Sequence, residues 1–200
     1  MFERQPSALH RLVCYVLHRL KEELSVRKKQ DDPNADHRLV FQQILFLCGD
    51  SLRKGDPSLD LGLQTTFRGP TAERAFQPFV QLTTVQTVIR QCEENDWLRL
   101  PGPKSHPTNY TLTDLGKRMA RGVLYGKDSV EKPFVPKQLV TVDAVVNQWA
   151  GSPLWELMPA LRKVAAEAYV AGTVVPHYDL SDKALLHYLE GVASRVRGVR

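Results

Sequence analysis

Apolar residues recur at three- and four-residue spacing along most of this 200-residue chain, and the gaps between the runs collect Pro, Gly, Asp and Ser. That period is the signature of helices with one buried face. Over Ser7–Arg27 the stripe is Leu9, Leu12, Val13, Val16, Leu17, Leu20 and Leu24, which predicts a long amphipathic helix. Arg27-Lys28-Lys29 and Gln30–Ala35 read as a polar connector with Pro33 inside it. Asp36–Leu52 repeats the pattern with Leu39, Val40, Ile44, Leu47 and Cys48, Asp36 standing where an N-cap belongs. Gly49–Gly69 is turn-rich, with a short strand expected around Leu59–Leu63, and Thr71–Phe79 reads as a helix cut short by Pro78.

The most structured pattern lies at Leu82–Gly122. Val85, Val88, Ile89 and Cys92 form one stripe of a helix over Thr83–Asn95, while Thr83, Thr87, Arg90 and Glu94 occupy the opposite face. Trp97-Leu98-Arg99-Leu100 alternates like a half-buried strand, and Pro101-Gly102-Pro103 breaks it. A second strand is expected at Asn109–Leu112, completing a hairpin, and Thr113-Asp114 caps a new helix. After Gly122 the segment Gly126–Pro136 reads as a linker. Three more helices follow, at Lys137–Trp149, Pro153–Val170 and Ser181–Val196, with Trp149, Trp155 and Tyr169 read as aromatic core.

Helix, hairpin, helix, closed by Tyr110-x-Leu112-Thr113-x-x-Gly116, resembles the winged helix-turn-helix layout of the multiple-antibiotic-resistance-regulator and phenolic-acid-regulator families over about residues 82–122. The resemblance implies a mainly α fold with a small β-wing. Together with the helical periodicity and the linker composition, it divides the chain into an N-terminal helix (1–30, for packing or dimerisation), a winged module (36–125), a linker (126–136) and a C-terminal α-helical domain (137–200). It also implies duplex DNA as partner, a homodimer, and a role in transcription regulation. The helix at 83–95 would lie in the major groove and the wing at 97–112 on the minor groove or backbone.

Charge sharpens that expectation. The net charge is +5 with a pI near 9.2, which permits an anionic partner without specifying one. Within Trp97–Gly126, however, Arg99, Lys104, Lys117, Arg118 and Arg121 face only the carboxylate of Asp114. A local basic excess beside a candidate recognition helix suits phosphate binding. The candidate contacts are therefore Thr83, Thr84, Gln86, Thr87, Arg90 and Gln91 on the helix, Arg99, Lys104, Ser105 and His106 on the wing, and Lys117 and Arg118 after it. Hydroxyls, amides and guanidinium groups can bond both base edges and phosphate oxygens. The plain alternative is a solvated polar surface.

Other chemistries find little footing. The chain has no phosphate-binding glycine loop and no dinucleotide fingerprint. Cys14, Cys48 and Cys92 are odd in number, widely spaced and set among apolar neighbours, which predicts buried free thiols. His177-Tyr178-Asp179 is an isolated pair in a turn. The chain is thus read as a non-enzyme without cofactor or metal. The start, MFERQPSALHRL, lacks the order of a secretory signal and no apolar run reaches membrane-spanning length, so a cytoplasmic protein is expected. The rival reading is a non-catalytic subunit of a DNA-associated complex, of the chromosome-condensation or anti-plasmid and phage-defence kind, whose winged helix binds protein. Glu93-Glu94 and the modest total charge favour it.

Overall fold

A computed structural model describes residues 6–29, 38–59, 61, 66–68, 79–81, 83–100, 109–127 and 132–170. Within them lie helices α1 (Ala8–Val26), α2 (Arg38–Gly55), α3 (Thr83–Glu94), α4 (Asp114–Tyr125), α5 (Pro136–Trp149) and α6 (Leu154–Val170). Strands β1 (Thr66–Arg68) and β2 (Phe79–Gln81) pair antiparallel, as do β3 (Leu98–Arg99) and β4 (Thr111–Leu112). The protein is mainly helical with small two-stranded sheets.

Two central helices organise the core. In α1 every residue from Arg11 to Leu17 is buried, and in α2 every residue from Val40 to Asp50. A helix buried on all sides needs neighbours on all sides. α1 packs against α2, α3, α4 and α5, while α2 packs against α1, α3, α5 and α6. The N-terminal helix thus packs within the chain, where Leu12, Val13, Val16, Leu17, Leu20 and Leu24 of its apolar stripe are buried. Each fully buried Leu on that stripe contributes about 1.5–3 kcal/mol.

Helices α5 and α6 share this same core through Val142, Val146, Leu157, Leu161 and Val164, and Phe134 joins it ahead of α5. Polar contacts fix α5 on α1. The Tyr15 hydroxyl and the Arg19 Nε both donate to Asp143 Oδ1, at 2.9 and 3.0 Å. Burial and then the Asp143 bond hold the Tyr15 phenol protonated by raising its pKa. At the other end of α5, the Arg27 guanidinium donates to the carbonyls of Ala150 and Asn147, and Lys29 Nζ donates to Gly151 O at 3.0 Å. Asn147 belongs to the last turn of α5, whose carbonyls a helix cannot satisfy by itself, and Ala150 and Gly151 follow directly after it.

Three expectations are corrected. No strand forms at Leu59: Asp56 accepts bonds from Ser58 N and Oγ, and Leu59 N donates to Asp56 O at 3.0 Å, so a turn occupies this position. Residues 60 and 62–63 of that expected strand lie outside the described residues, and a strand at Thr66–Arg68 pairs with Phe79–Gln81. Phe79, expected to close a helix, consequently opens β2, while residues 71–78 lie outside the described residues. Trp155, read as core, is 71% exposed. The helix expected at Ser181–Val196 and Tyr169's side chain also lie outside the described residues.

Candidate nucleic-acid interface

The closing motif explains itself once folded. α3 ends where Asp96 takes the left-handed conformation (φ 56°), with Trp97 N bonding Cys92 O at 2.9 Å and Asp96 N bonding Glu93 O at 3.0 Å. These two backbone hydrogen bonds close the helix and turn the chain into β3. Leu98 then faces Leu112 and Arg99 faces Thr111 in the β3–β4 register. Tyr110 is buried with its ring edge-on to Phe41, centroids 5.7 Å apart. Thr113 caps α4: its Oγ1 accepts from Gly116 N at 3.1 Å and donates to Asp96 O at 2.5 Å. Gly116 sits so close to the preceding turn that a Cβ there would lie 1.9 Å from Trp97 O. Tyr, Leu, Thr and Gly of the motif thus each have a packing or capping task, and together they fix the hairpin to α4.

On α3, Val85, Val88, Ile89 and Cys92 are buried and Gln86, Arg90 and Glu94 are exposed. Thr84 and Thr87 are half-buried at the flank of that face; Thr83 opens the helix, with its side chain outside the described residues. Gln91 turns the other way. Its Oε1 bonds His10 Nε2 at 3.0 Å on α1, so the amide expected to face DNA serves as an interhelical contact. Ser7 N donates to His10 Nδ1 at 3.1 Å, which leaves Nε2 as the protonated nitrogen that donates to Gln91. Burial lowers the His10 pKa, outweighing the opposing pull of Gln91, and keeps this tautomer neutral. The Cys92 thiol is pushed far above its ordinary range by its hydrogen bond with Cys14 and by burial, and Cys14, Cys48 and Cys92 are buried free thiols.

The wing side carries balanced charge. Arg99 lies along Asp96 in a two-point contact, Nε to Oδ1 at 2.7 Å and the terminal nitrogen to Oδ2 at 3.0 Å. Those bonds hold the Asp96 carboxyl below its usual pKa. Lys117 reaches Asp114 at 3.3 Å, and Arg90 reaches Glu94 at 3.8 Å. Such exposed pairs are weak and open readily for a stronger anion. A groove of about 360 Å³, lined by Asp96, Arg99, Thr111, Leu112, Thr113, Asp114 and Leu115, joins the hairpin to the first turn of α4. Arg118 and Arg121 are exposed on α4 and carry no ion pair with a described residue. Arg121 counts toward the local charge excess but not among the expected contacts, and it lies one turn beyond Lys117. Lys104, Ser105 and His106 lie outside the described residues.

Among the described residues, no three His, Cys, Asp or Glu side chains converge as a metal site would, and no helix is long and apolar enough to cross a membrane. Neither a protein-family model, nor a curated protein, nor a solved structure matches this chain. The functional reading therefore rests on the side chains and the order of elements alone.

Proposed function

We propose that this protein binds duplex DNA as a winged-helix transcriptional regulator, with α3 entering the major groove and the β3–β4 hairpin lying on the adjacent backbone. The observation that carries the reading is the two-faced α3. Its apolar stripe is buried against the core, while Gln86 and Arg90 stand exposed one turn apart, with a hairpin directly after it. An amide and a guanidinium at that spacing can read base edges. Arg99, Lys117 and Arg118 supply phosphate contacts nearby, the first two by exchanging their weak carboxylate partners for phosphate oxygens. α1 offers no free apolar stripe for pairing, so the proposal does not depend on a dimer through that helix.

The test is fluorescence-anisotropy titration against a random duplex over a salt series, followed by selection of a preferred sequence. Affinity that falls steeply with salt supports the reading. On the selected sequence, Arg90→Ala is expected to cost about 1–3 kcal/mol and to relax the preference. A second reading, a protein-binding subunit of a DNA-associated complex, draws on the pairing of Arg90, Arg99 and Lys117 with carboxylates, which leaves those positions electrically balanced. Absence of duplex binding at low salt would favour it.

A further inference from the structure

Resting on the duplex-binding reading, we infer that the electrostatic anchor of the interface is the outer face of α4, with Arg118 and Arg121 holding the phosphate backbone. Electrostatic affinity for a duplex comes from cations that displace condensed counterions. The recognition helix cannot supply it: Arg90 is the only cation between Thr83 and Glu94, and Glu94 sits 3.8 Å from it. Arg99 and Lys117 are matched in the same way by Asp96 and Asp114. Arg118 and Arg121 have no such partner among the described residues, and Asp114 is the single carboxylate in the whole of α4.

The geometry suits a backbone contact. Lys117, Arg118 and Arg121 are all exposed within about one helical turn, roughly 6 Å of axial rise. Gly116, Ala120 and Val123 bury the opposite side, so the cations are held outward by a fixed helix and not by a loop. The groove beside Arg99, Asp114 and Leu115 makes this face continuous with the hairpin. Tyr125 is 78% exposed at the far end, where a phenol can also donate to phosphate. The partner that fits unmatched guanidinium groups beside a candidate groove-reading helix is the sugar-phosphate backbone flanking the base pairs that α3 reads.

The experiment is the salt-dependent titration of wild type, Arg118→Ala/Arg121→Ala, Arg118→Lys/Arg121→Lys, and a control, Lys137→Ala/Lys163→Ala, which removes two exposed cations from α5 and α6. Circular dichroism confirms that each variant is folded. The Ala pair is expected to lower the slope of log affinity against log salt by about 1.8. Between 50 and 200 mM salt, wild-type affinity then falls about twelve-fold further than that of the variant. The Lys pair should keep the slope, the control should match wild type, and any sequence preference should survive in the Ala pair. Wild type that binds while the Ala pair keeps the same slope overturns this inference and leaves the α3 reading standing. Wild type that does not bind duplex at low salt overturns both.

Discussion

At the scale of single residues, His10 is a joint between α1, α3 and the start of the hairpin. Its ring accepts from Ser7 at the start of α1, donates to Gln91 of α3, and meets Trp97 edge-on with centroids 5.1 Å apart. Protonation would place a hydrogen on Nδ1, where the Ser7 N–H now points, and would charge a half-buried ring. Burial accordingly lowers its pKa from 6.5, so on acidification the unfolded chain takes up this proton before the folded one does. The stability that neutral His10 contributes is present above 6.5 and is lost as the pH falls through 6.5 toward the lower folded value. Thermal unfolding followed from pH 7.5 to 5 should show the midpoint dropping more steeply in wild type than in His10→Gln. Parallel profiles would assign the dependence to another group.

At the scale of elements, the hairpin and α4 are joined by a contact that tolerates no side chain. A methyl group at Gly116 would overlap the Trp97 carbonyl, and that carbonyl is also engaged: it accepts from Thr113 N at 3.1 Å. The neighbour is backbone, so relief requires α4 to move off the 96–97 turn, loosening the Thr113 cap and the β3–β4 pairing together. Gly116→Ala is expected to destabilise by about 1–3 kcal/mol, as overpacking does, even though alanine is the better helix former. Chemical denaturation measures it. A variant as stable as wild type would mean that this approach is looser than the structure has it. On the proposed duplex-binding reading, such a shift should also misplace Arg99 relative to α4, so duplex affinity should fall with stability, whereas an exposed α4 position such as Arg118 should affect affinity alone.

At the scale of the molecule, what the sequence made legible is what local chemistry decides. The Thr83–Glu94 helix, the strand at Leu98, the Thr113 cap and the α4 start follow from nearest-neighbour patterns, and their positions agree with the structure to within a residue or so. Long-range facts were out of reach. Gln91 looks like a surface amide until His10, 81 positions earlier, is placed beside it. The charge excess counted from Trp97 to Gly126 stops one residue short of Asp96, the very carboxylate that matches Arg99. Leu39, counted on the apolar stripe of the second helix, is 40% exposed, while Gln42, Gln43 and Asp50 are buried. A helix enclosed by several neighbours no longer sorts its residues by one stripe.

That enclosure has a consequence for how the chain can be divided. The winged-helix resemblance and the linker composition of 126–136 together suggest a winged module at 36–125 followed by a separate helical segment. In the fold, α5 and α6 cover α1 and α2: Val142, Val146, Leu157 and Leu161 are at most 1% exposed and belong to the same core as Leu12, Leu17, Phe41 and Ile44. Ending the chain after Lys127 would remove those four side chains, at about 1.5–3 kcal/mol of burial each. It would also strip Asp143 from the Tyr15 hydroxyl and Arg19. Their sum is comparable to the 5–15 kcal/mol by which whole domains are stable. The shortened chain is therefore expected to lose its cooperative unfolding transition, read by circular dichroism in urea against the full chain. A sharp transition at a similar midpoint would show instead that the first 127 residues form a self-sufficient unit, and that the candidate DNA-binding face can be held in place without α5 and α6.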